Sequence, residues 1–253
     1  MSFEFCNNNA LIIIPARSGS KRVKGKNIKL LNKKPLISYS IEQCLKIKNI
    51  EILVSTNDKK TINICEQYNL KVPFKRPGYL CQDNSSSRSV IIHALSIYFK
   101  KYKKLPYIVG LKPPTNPFIK ASTMEKMIKK LELSNANINS CVSICEAKTH
   151  PFRVVNLNKE DNIKNGVISI NNSTINDIER SQDWPEVWEG SPALRLTKVK
   201  YFHNEIKNEI FNKDGKTYDS NNSLGFKISK IEGFDIDDEF DFGVAEYLMH
   251  KRI

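Results

Sequence analysis

The sequence predicts an α/β fold: a doubly wound, mainly parallel sheet within a single domain spanning 1–253. Three observations predict it. Short β-branched apolar runs of strand length recur along the chain, stretches with apolar residues at helical spacing separate them, and 40% of the 253 residues are hydrophobic, enough for a sizeable core. Sheets of this kind bind ligands in the crevice beyond the carboxyl ends of their strands. The loops leaving those ends are therefore where chemistry is expected.

Leu11 to Ile14, ending at Pro15, reads as a strand buried on both faces. From Arg17 to Lys34 the chain holds two Gly and eight Lys or Arg with little apolar periodicity, which reads as a long functional loop. Pro35 suits the first turn of a helix that carries Leu36, Ile37, Ile41, Cys44 and Leu45 on one side. Glu51 to Ser55 is the next strand, and Asp58 is a candidate N-cap for a helix from about Lys60 to Tyr68. Ser86 to Tyr102 places Val90, Ile91, Ala94, Leu95 and Tyr98 on one helical face, with His93 among them as a packing residue. Tyr107 to Leu111 is a strand, Ala121 to Leu133 a helix, and Ser140 to Ile144 a further strand. Between about His150 and Phe202 the pattern weakens to short extended pieces, Phe152 to Leu157 and Gly166 to Ile170, and reads as an inserted hairpin region. Leu224 to Ile228, Phe234 to Asp237 and a helix from about Glu239 to His250 complete the chain.

The charge is strongly basic, +13, from 40 Lys and Arg against 27 Asp and Glu. The lysines are scattered among Asn and Ile along the whole length, whereas a nucleic-acid binder shows a clustered basic face or a reading motif. An anionic small molecule accounts for the excess equally well, and no nucleic-acid partner is expected. The longest wholly apolar run, Ala10 to Ala16, has seven residues, far short of the roughly 20 that span a bilayer. Met1 to Asn9 lacks the basic n-region of a secretory signal, so a cytoplasmic location is expected. The six cysteines offer no CxxC pair and lie mostly within apolar patterns, as reduced, buried thiols do.

Two constellations carry chemistry. The first is the loop from Pro15 to Asn27. Gly19 lets backbone N–H groups approach a phosphate, Ser20 adds a hydroxyl donor, and Arg17, Lys21 and Lys26 surround them with positive charge at the mouth of a strand. It matches neither a P-loop nor GxGxxG, and a merely solvated basic loop is the alternative. The second is Asp235-Ile236-Asp237 at the end of a predicted strand, where alternation sends both carboxylates to one side and suits them to Mg²⁺. Capping of the following helix by this acidic run is the alternative. Together, the basic loop and the acidic pair point to nucleotidyl transfer or another metal-assisted phosphate reaction.

At these residues the chain resembles a known family. IPARSGSKRVKGKNI, KPLISYSIE, EILVSTND, VPFKRP and FDIDDEFDF, in order and spanning nearly the whole chain, resemble the CMP-sialic acid synthetases, the acylneuraminate cytidylyltransferases. The resemblance implies a fold of the nucleotide-diphospho-sugar transferase type, Mg²⁺ dependence, a homodimer, and reaction of CTP with an acidic nine-carbon sugar to give the CMP-sugar and pyrophosphate. By the same resemblance Arg17, Ser20 and Lys26 hold the triphosphate, with Lys21 beside them from the loop's own charge, Asn27 and Arg76 help bind the nucleotide, Ser85 and Ser87 fall in the cytosine-reading segment, and Asp235 and Asp237 hold the metal. Arg17, Lys26 and Asp237 are then the catalytic set, with a metal-bound water near Asp237 as the candidate base.

The departures fall on the sugar side. Where the family reads LQPTSPL, this chain has Lys112-Pro113-Pro114-Thr115-Asn116-Pro117, so that Lys112 either takes over a contact to the sugar carboxylate or points to solvent. Arg180 and Gln182 survive from the family's RRQDLPEVY-like stretch, and Arg195 is an arginine that the family does not lead one to expect. Arg180 and Arg195 are candidates to grip the carboxylate as bidentate forks, the alternative being ion pairs with Glu179, Glu186 or Glu189. His150 could pack or act, and Trp184 and Trp188 could cover a dimer surface or a core. The inserted region 150–202 is expected to serve dimerisation and sugar binding. The departures suggest a legionaminic- or pseudaminic-like sugar. Rival readings are a synthetase for the eight-carbon sugar acid of lipopolysaccharide, a retaining glycosyltransferase with an Asp-X-Asp metal site, and a nonspecific nucleic-acid binder.

Overall fold

The structure, a computed structural model, describes residues 4–154, 156–157, 163–164, 170, 178, 180–211 and 215–251. Apolar strands need both faces covered and the amphipathic helices need one face covered, and a layered α/β arrangement satisfies both. The first strand, β1 (Phe5–Pro15), begins earlier than its apolar run because its first residues pair with the start of a later strand. A small ribbon, β2 (Leu30–Leu31) and β3 (Lys34–Pro35), leads into α1 (Leu36–Leu45). Then follow β4 (Ile50–Ser55), α2 (Lys59–Gln67), α3 (Ser87–Tyr102), β5 (Leu105–Leu111), α4 (Ala121–Glu132) and β6 (Ser140–Glu146). A second ribbon pairs β7 (Asn156–Leu157) with β8 (Ile163–Lys164). The chain ends with β9 (Trp188–Lys198), α5 (His203–Lys207), β10 (Ser223–Lys227) and α6 (Glu239–Lys251).

Six strands form the main sheet in the order β10-β6-β9-β5-β1-β4. The pairs β1–β4, β1–β5 and β10–β6 are parallel, and β9 runs antiparallel between β5 and β6. The carboxyl ends of the parallel strands therefore share one edge of the molecule. At the centre the sheet leaves no room for a side chain on Gly110, where a Cβ would lie 2.5 Å from Ile12 Cδ1 and 2.8 Å from Leu196 Cδ2. Asp58 caps α2, accepting from the N–H groups of Lys60 and Thr61, and Ser86 caps α3 through Ser89.

The reading of 150–202 as a weakly patterned insertion missed β9, which is a central strand. Gly190, Ser191 and Pro192 interrupt its apolar pattern, and Arg195, Thr197 and Lys198 look like surface residues. Tertiary partners make them tolerable inside: Thr197 Oγ1 lies 3.1 Å from Ser140 Oγ and donates to Thr217 O at 2.9 Å, and Lys198 Nζ donates to Ser134 Oγ and Asn135 O, both at 3.2 Å. A short ribbon, β7–β8, does stand in this region, but Phe152 belongs to a 3-10 turn, Pro151–Arg153, and the second strand is Ile163–Lys164, ahead of the expected Gly166 to Ile170. Of the extended piece Gly166 to Ile170, all but Ile170 lies outside the described residues.

Phe234 to Asp237 is a second correction. It belongs to no strand; Ile236 N–H donates instead to Thr115 O at 2.9 Å, so the segment lies along the turn after β5. Three apolar clusters hold the fold together. One packs α1 and α4 on one face of the sheet, one packs α3 and α5 on the other, and a third joins Val23, Leu31, Leu36, Ile236, Phe242 and Ala245. That small third cluster is what brings the basic loop against the acidic segment. Val23 comes from the loop, Ile236 lies between the two aspartates, and both are fully buried.

Candidate active site

At the carboxyl edge of β1, β4 and β5 a cleft of about 220 Å³ is lined by Arg17, Ser20, Lys26, Asn27, Arg76, Ser85 and Ser87, with Pro113, Pro114 and Thr115 as its far wall. Seven of the eight residues expected to hold the nucleotide thus converge here from the loop after β1, the connection between α2 and α3, and the first turn of α3. Lys21, the eighth, lies outside the cleft with its ammonium against Asp83.

Each side chain has a local reason for its place. Gly19 adopts a left-handed φ of 83°, which allows the loop to turn directly after Arg17 and Ser18. The loop is pinned on its far side by Asn57, whose Oδ1 accepts from Ser18 N–H and whose Nδ2 donates to Ser18 Oγ, both at 2.8 Å. Asn27 Nδ2 closes the loop by donating to Arg17 O at 3.0 Å. Arg17 donates to Cys81 O at 3.0 Å and to Asp83 Oδ1 at 2.8 Å. Hydrogen bonds from Lys21 and Arg17 hold the Asp83 carboxyl below its ordinary pKa. Arg76 is buried, donating through Nε to Ser55 Oγ at 3.0 Å and through Nη2 to Ser55 O at 2.5 Å. Burial lowers its pKa to about 10, which leaves it charged at neutral pH.

Lys26 joins the two constellations. Its Nζ donates to Ile236 O at 2.7 Å and to Asp237 O at 2.8 Å, and lies 4.0 Å from Asp237 Oδ1. Burial lowers the Lys26 pKa, partly offset by the charges of Asp237 and Asp235. The expected phosphate ligand is therefore also the tie that holds the acidic segment against the loop. Arg22 approaches Asp237 Oδ2 at 3.4 Å from the solvent side.

The two aspartates occupy different surroundings. Asp237 is exposed, whereas Asp235 is largely buried and its Oδ1 has no hydrogen-bond partner. Burial raises the Asp235 pKa, a hydrogen bond with Thr115 opposes the rise, and the neighbouring Asp237 charge adds to it. Helix capping does not employ either side chain. Asp238 Oδ1 accepts from Asp241 N–H at 2.9 Å, while Asp241 Oδ2 accepts from the N–H groups of Asp237 and Asp238 at 2.9 and 3.3 Å. That reciprocal pair is the cap of α6, which leaves the carboxylates of Asp235 and Asp237 to another task.

On the sugar side the expectations fare unevenly. Lys112 neither reaches a substrate nor points to solvent: it is fully buried, its ammonium bonded to Ser40 Oγ, Pro113 O and Asn116 O, and burial lowers its pKa to about 8. Arg195 lies opposite Leu111 and Val142 in the sheet with its guanidinium 6.0 Å from the Tyr218 ring centroid, and lines neither the nucleotide cleft nor the one described next. Gln182 lines a second cleft at the carboxyl end of β6, with Lys148, His150, Arg153 and Trp184, and the exposed Arg180 stands at its border. His150 is a packing and capping residue there. Its Nδ1 accepts from Phe152 N–H, its Nε2 lies 3.0 Å from Pro185 O, and its ring packs against Trp184. Trp184 packs on Phe152 as well, and Trp188 lies beneath the Lys227 ammonium at 3.9 Å. Glu186 pairs with Lys227, Glu179 lies outside the described residues, and no ion pair among the described residues involves Arg180 or Arg195. His93 packs between Phe74 and Phe211.

Sequence reasoning missed Asn57, Asp83 and Thr115. Asn57 stands within the EILVSTND run and was available to it; nothing local marked Asp83, which is 66 residues from Arg17.

The model of the family described as "Cytidylyltransferase" matches residues 11–232. The chain belongs to the cytidylyltransferase family. It is thus a nucleotidyltransferase, and some of its relatives cover it almost end to end. A CMP-N,N'-diacetyllegionaminic acid synthase of Legionella pneumophila is 28% identical over 94% of this chain and 95% of its own length. An N-acylneuraminate cytidylyltransferase of Escherichia coli is 29% identical over 96% of this chain, which spans 52% of that protein. A pseudaminic acid cytidylyltransferase of Campylobacter jejuni is 37% identical over 47% of this chain and 53% of its own. In fold, this cytidylyltransferase is similar to a CMP:2-keto-3-deoxy-manno-octonic acid synthetase complexed with CTP, with a TM-score of 0.68 over 97% of this chain and 100% of that one at 16% identity. It is also similar to a 4-diphosphocytidyl-2C-methyl-D-erythritol synthase from Anaerococcus prevotii, with a TM-score of 0.65 at 14% identity over 98% and 99% of the two chains.

Proposed function

We propose that this cytidylyltransferase transfers CMP from CTP to the anomeric hydroxyl of a nonulosonic, sialic-acid-like sugar acid and releases pyrophosphate. The observation that carries the reading is the meeting, through Lys26, of the basic loop with Asp235 and Asp237 at the mouth of the cleft that gathers Arg76, Ser85 and Ser87. The sugar class is supported by the names of three relatives, each of which denotes a nonulosonic acid. A legionaminic- or pseudaminic-type acid fits better than N-acetylneuraminate, because the family's glutamine is replaced by Pro113 in the cleft wall.

The residues present fit Mg²⁺. No group of three or more His, Cys, Asp or Glu among the described residues could hold a metal alone, and Mg²⁺ is commonly held by one or two carboxylates completed by water and substrate phosphates. The unpartnered, buried Oδ1 of Asp235 beside Asp237 supplies that pair. When bound, Mg²⁺ would neutralise charge on the phosphates. Arg17, Ser20 and the loop N–H groups would orient the triphosphate and stabilise the departing pyrophosphate. The nucleoside would lie toward Arg76, Ser85 and Ser87, and the sugar acid toward the second cleft, within reach of Arg180, Gln182 and Lys148.

The same reading takes the enzyme to be a cytoplasmic homodimer, with residues of 150–202 at the interface. No described helix is long and apolar enough to cross a membrane. Thermal shift with CTP, UTP, ATP and GTP in the presence of Mg²⁺ tests the nucleotide, and pyrophosphate release across a panel of eight- and nine-carbon 2-keto sugar acids tests the acceptor. Selective stabilisation by CTP and turnover with a nine-carbon acid are expected. Turnover confined to the eight-carbon acid would transfer the assignment to that rival, and equal response to all four nucleotides would overturn the reading.

A further inference from the structure

We propose that Lys112 is a positioning residue for the acidic segment, acting through the proline-rich turn that follows it and not by contact with a substrate. The inference rests on the reading that Asp235 and Asp237 hold a divalent cation.

The turn 113–117 contains Pro113, Pro114 and Pro117, which have no N–H, so only Thr115 and Asn116 can donate from its backbone. It is nonetheless packed inside the protein, where inward carbonyls need donors. Asn116 and Lys112 are both fully buried. The Lys112 ammonium supplies what the prolines withhold: Nζ donates to Pro113 O at 3.0 Å and to Asn116 O at 2.8 Å. Its third proton goes to Ser40 Oγ at 2.9 Å on α1. All three protons are thereby used, and the turn is fastened to α1 from within. Gln43 on the same helix adds a bond to Pro117 O at 2.6 Å.

The opposite face of the turn is the surface on which the acidic segment lies. Thr115 O accepts from Ile236 N–H at 2.9 Å, Asn116 Nδ2 donates to Phe234 O at 3.0 Å, and the Thr115 side chain bonds Asp235. Since segment 234–237 belongs to no strand, these bonds and those of Lys26 fix where its carboxylates stand. A turn that lost the Lys112 donor would keep the bonds from Ser40 Oγ to Pro113 O and from Gln43 to Pro117 O, but its buried Asn116 carbonyl would lose its donor and that end of the turn would shift. Asp235 would follow it.

The test is Lys112→Met, which keeps the length of the side chain and removes the donor. Free Mn²⁺ is counted by electron paramagnetic resonance in titrations with and without CTP, and metal-free CTP binding is measured by calorimetry. Loss of such an outer support weakens metal binding roughly tenfold or more, with metal-free CTP affinity expected to stay within about twofold of wild type. A folded Lys112→Met protein with wild-type Mn²⁺ affinity overturns the proposal whatever its melting temperature. Should that variant not fold, Asn116→Ala leaves Lys112 in place and cuts the bond to Phe234 O. The same weakening of Mn²⁺ binding is expected, and its absence again overturns the proposal. Wild-type protein that binds CTP but no Mn²⁺ would instead remove the metal reading beneath it.

Discussion

Lys26→Met separates two roles that one residue holds at once. If Lys26 were only a phosphate ligand, its loss would leave the nucleotide-free protein as stable as before. The structure predicts otherwise. The side chain is buried, the residue being 8% exposed, and two backbone carbonyls depend on its ammonium. The substitution leaves the carbonyl of the fully buried Ile236 without its donor, at about 1–3 kcal/mol, and removes a second charge-assisted bond at the half-open Asp237 carbonyl, worth about 1 kcal/mol. Release of the desolvation that lowers the Lys26 pKa returns part of this, for a net loss of about 2–3 kcal/mol. In a domain of this size that is a fall of roughly 5–10 °C in melting temperature. The assay is thermal unfolding without nucleotide or metal, with Lys21→Met as comparison. Lys21 is 79% exposed and, among the described residues, pairs with Asp83 alone at the surface, so that variant should melt as wild type. A nucleotide-free Lys26→Met protein melting within about 1 °C of wild type would refute the bridging role.

Three further outcomes follow from the same site. Asp235→Asn should melt at the wild-type temperature or above it without metal, because it removes a buried carboxylate whose pKa is raised by desolvation, yet lose Mg²⁺-dependent turnover by roughly 100-fold or more; a destabilised variant with normal turnover would contradict this. Asp83→Asn should lower the KM for CTP by up to about fivefold at low salt, the scale of a surface ion pair, because Arg17 and Lys21 would no longer exchange a carboxylate for phosphate, and an unchanged or higher KM would count against that exchange. Lys112 holds its proton less tightly folded, at about 8, than the 10.5 of an ordinary lysine, so the unfolded chain binds more protons between those values and stability gains a rising component with pH there. Denaturant titrations at pH 7.5 and 10 should show that component in wild type and not in Lys112→Met; equal pH slopes would deny it.

Much of the site was legible in the sequence, for a physical reason. A loop suited to phosphate brings Gly, hydroxyl and cationic residues close together in the chain, and the proposed metal pair, Asp235 and Asp237, is two carboxylates two residues apart. Those patterns are local, and so are the apolar periodicities behind five of the described α-helices, all but the short α5, and most strands of the main sheet. The structure then gathers Arg17, Ser20, Lys26, Asn27, Arg76, Ser85 and Ser87 around one cleft. The capping alternative for the acidic run could not be resolved locally, because five carboxylates within seven residues are interchangeable until geometry selects Asp238 and Asp241 as the cap.

By itself, then, the sequence determined the alternation of strands and helices, the basic loop and acidic pair proposed to hold phosphate and metal, and the family. Only the tertiary structure decided that Trp188 to Lys198 is a central strand, that Lys112 turns inward, and that Lys26 serves the acidic segment as well as the loop. The reason is common to all three. A polar side chain goes inside only where acceptors await it, and those acceptors come from distant parts of the chain: Ser134 and Asn135 for Lys198, Ser40 for Lys112, and a carbonyl 210 residues away for Lys26. Composition records that a lysine is present, but the fold determines whether it meets water or a buried oxygen.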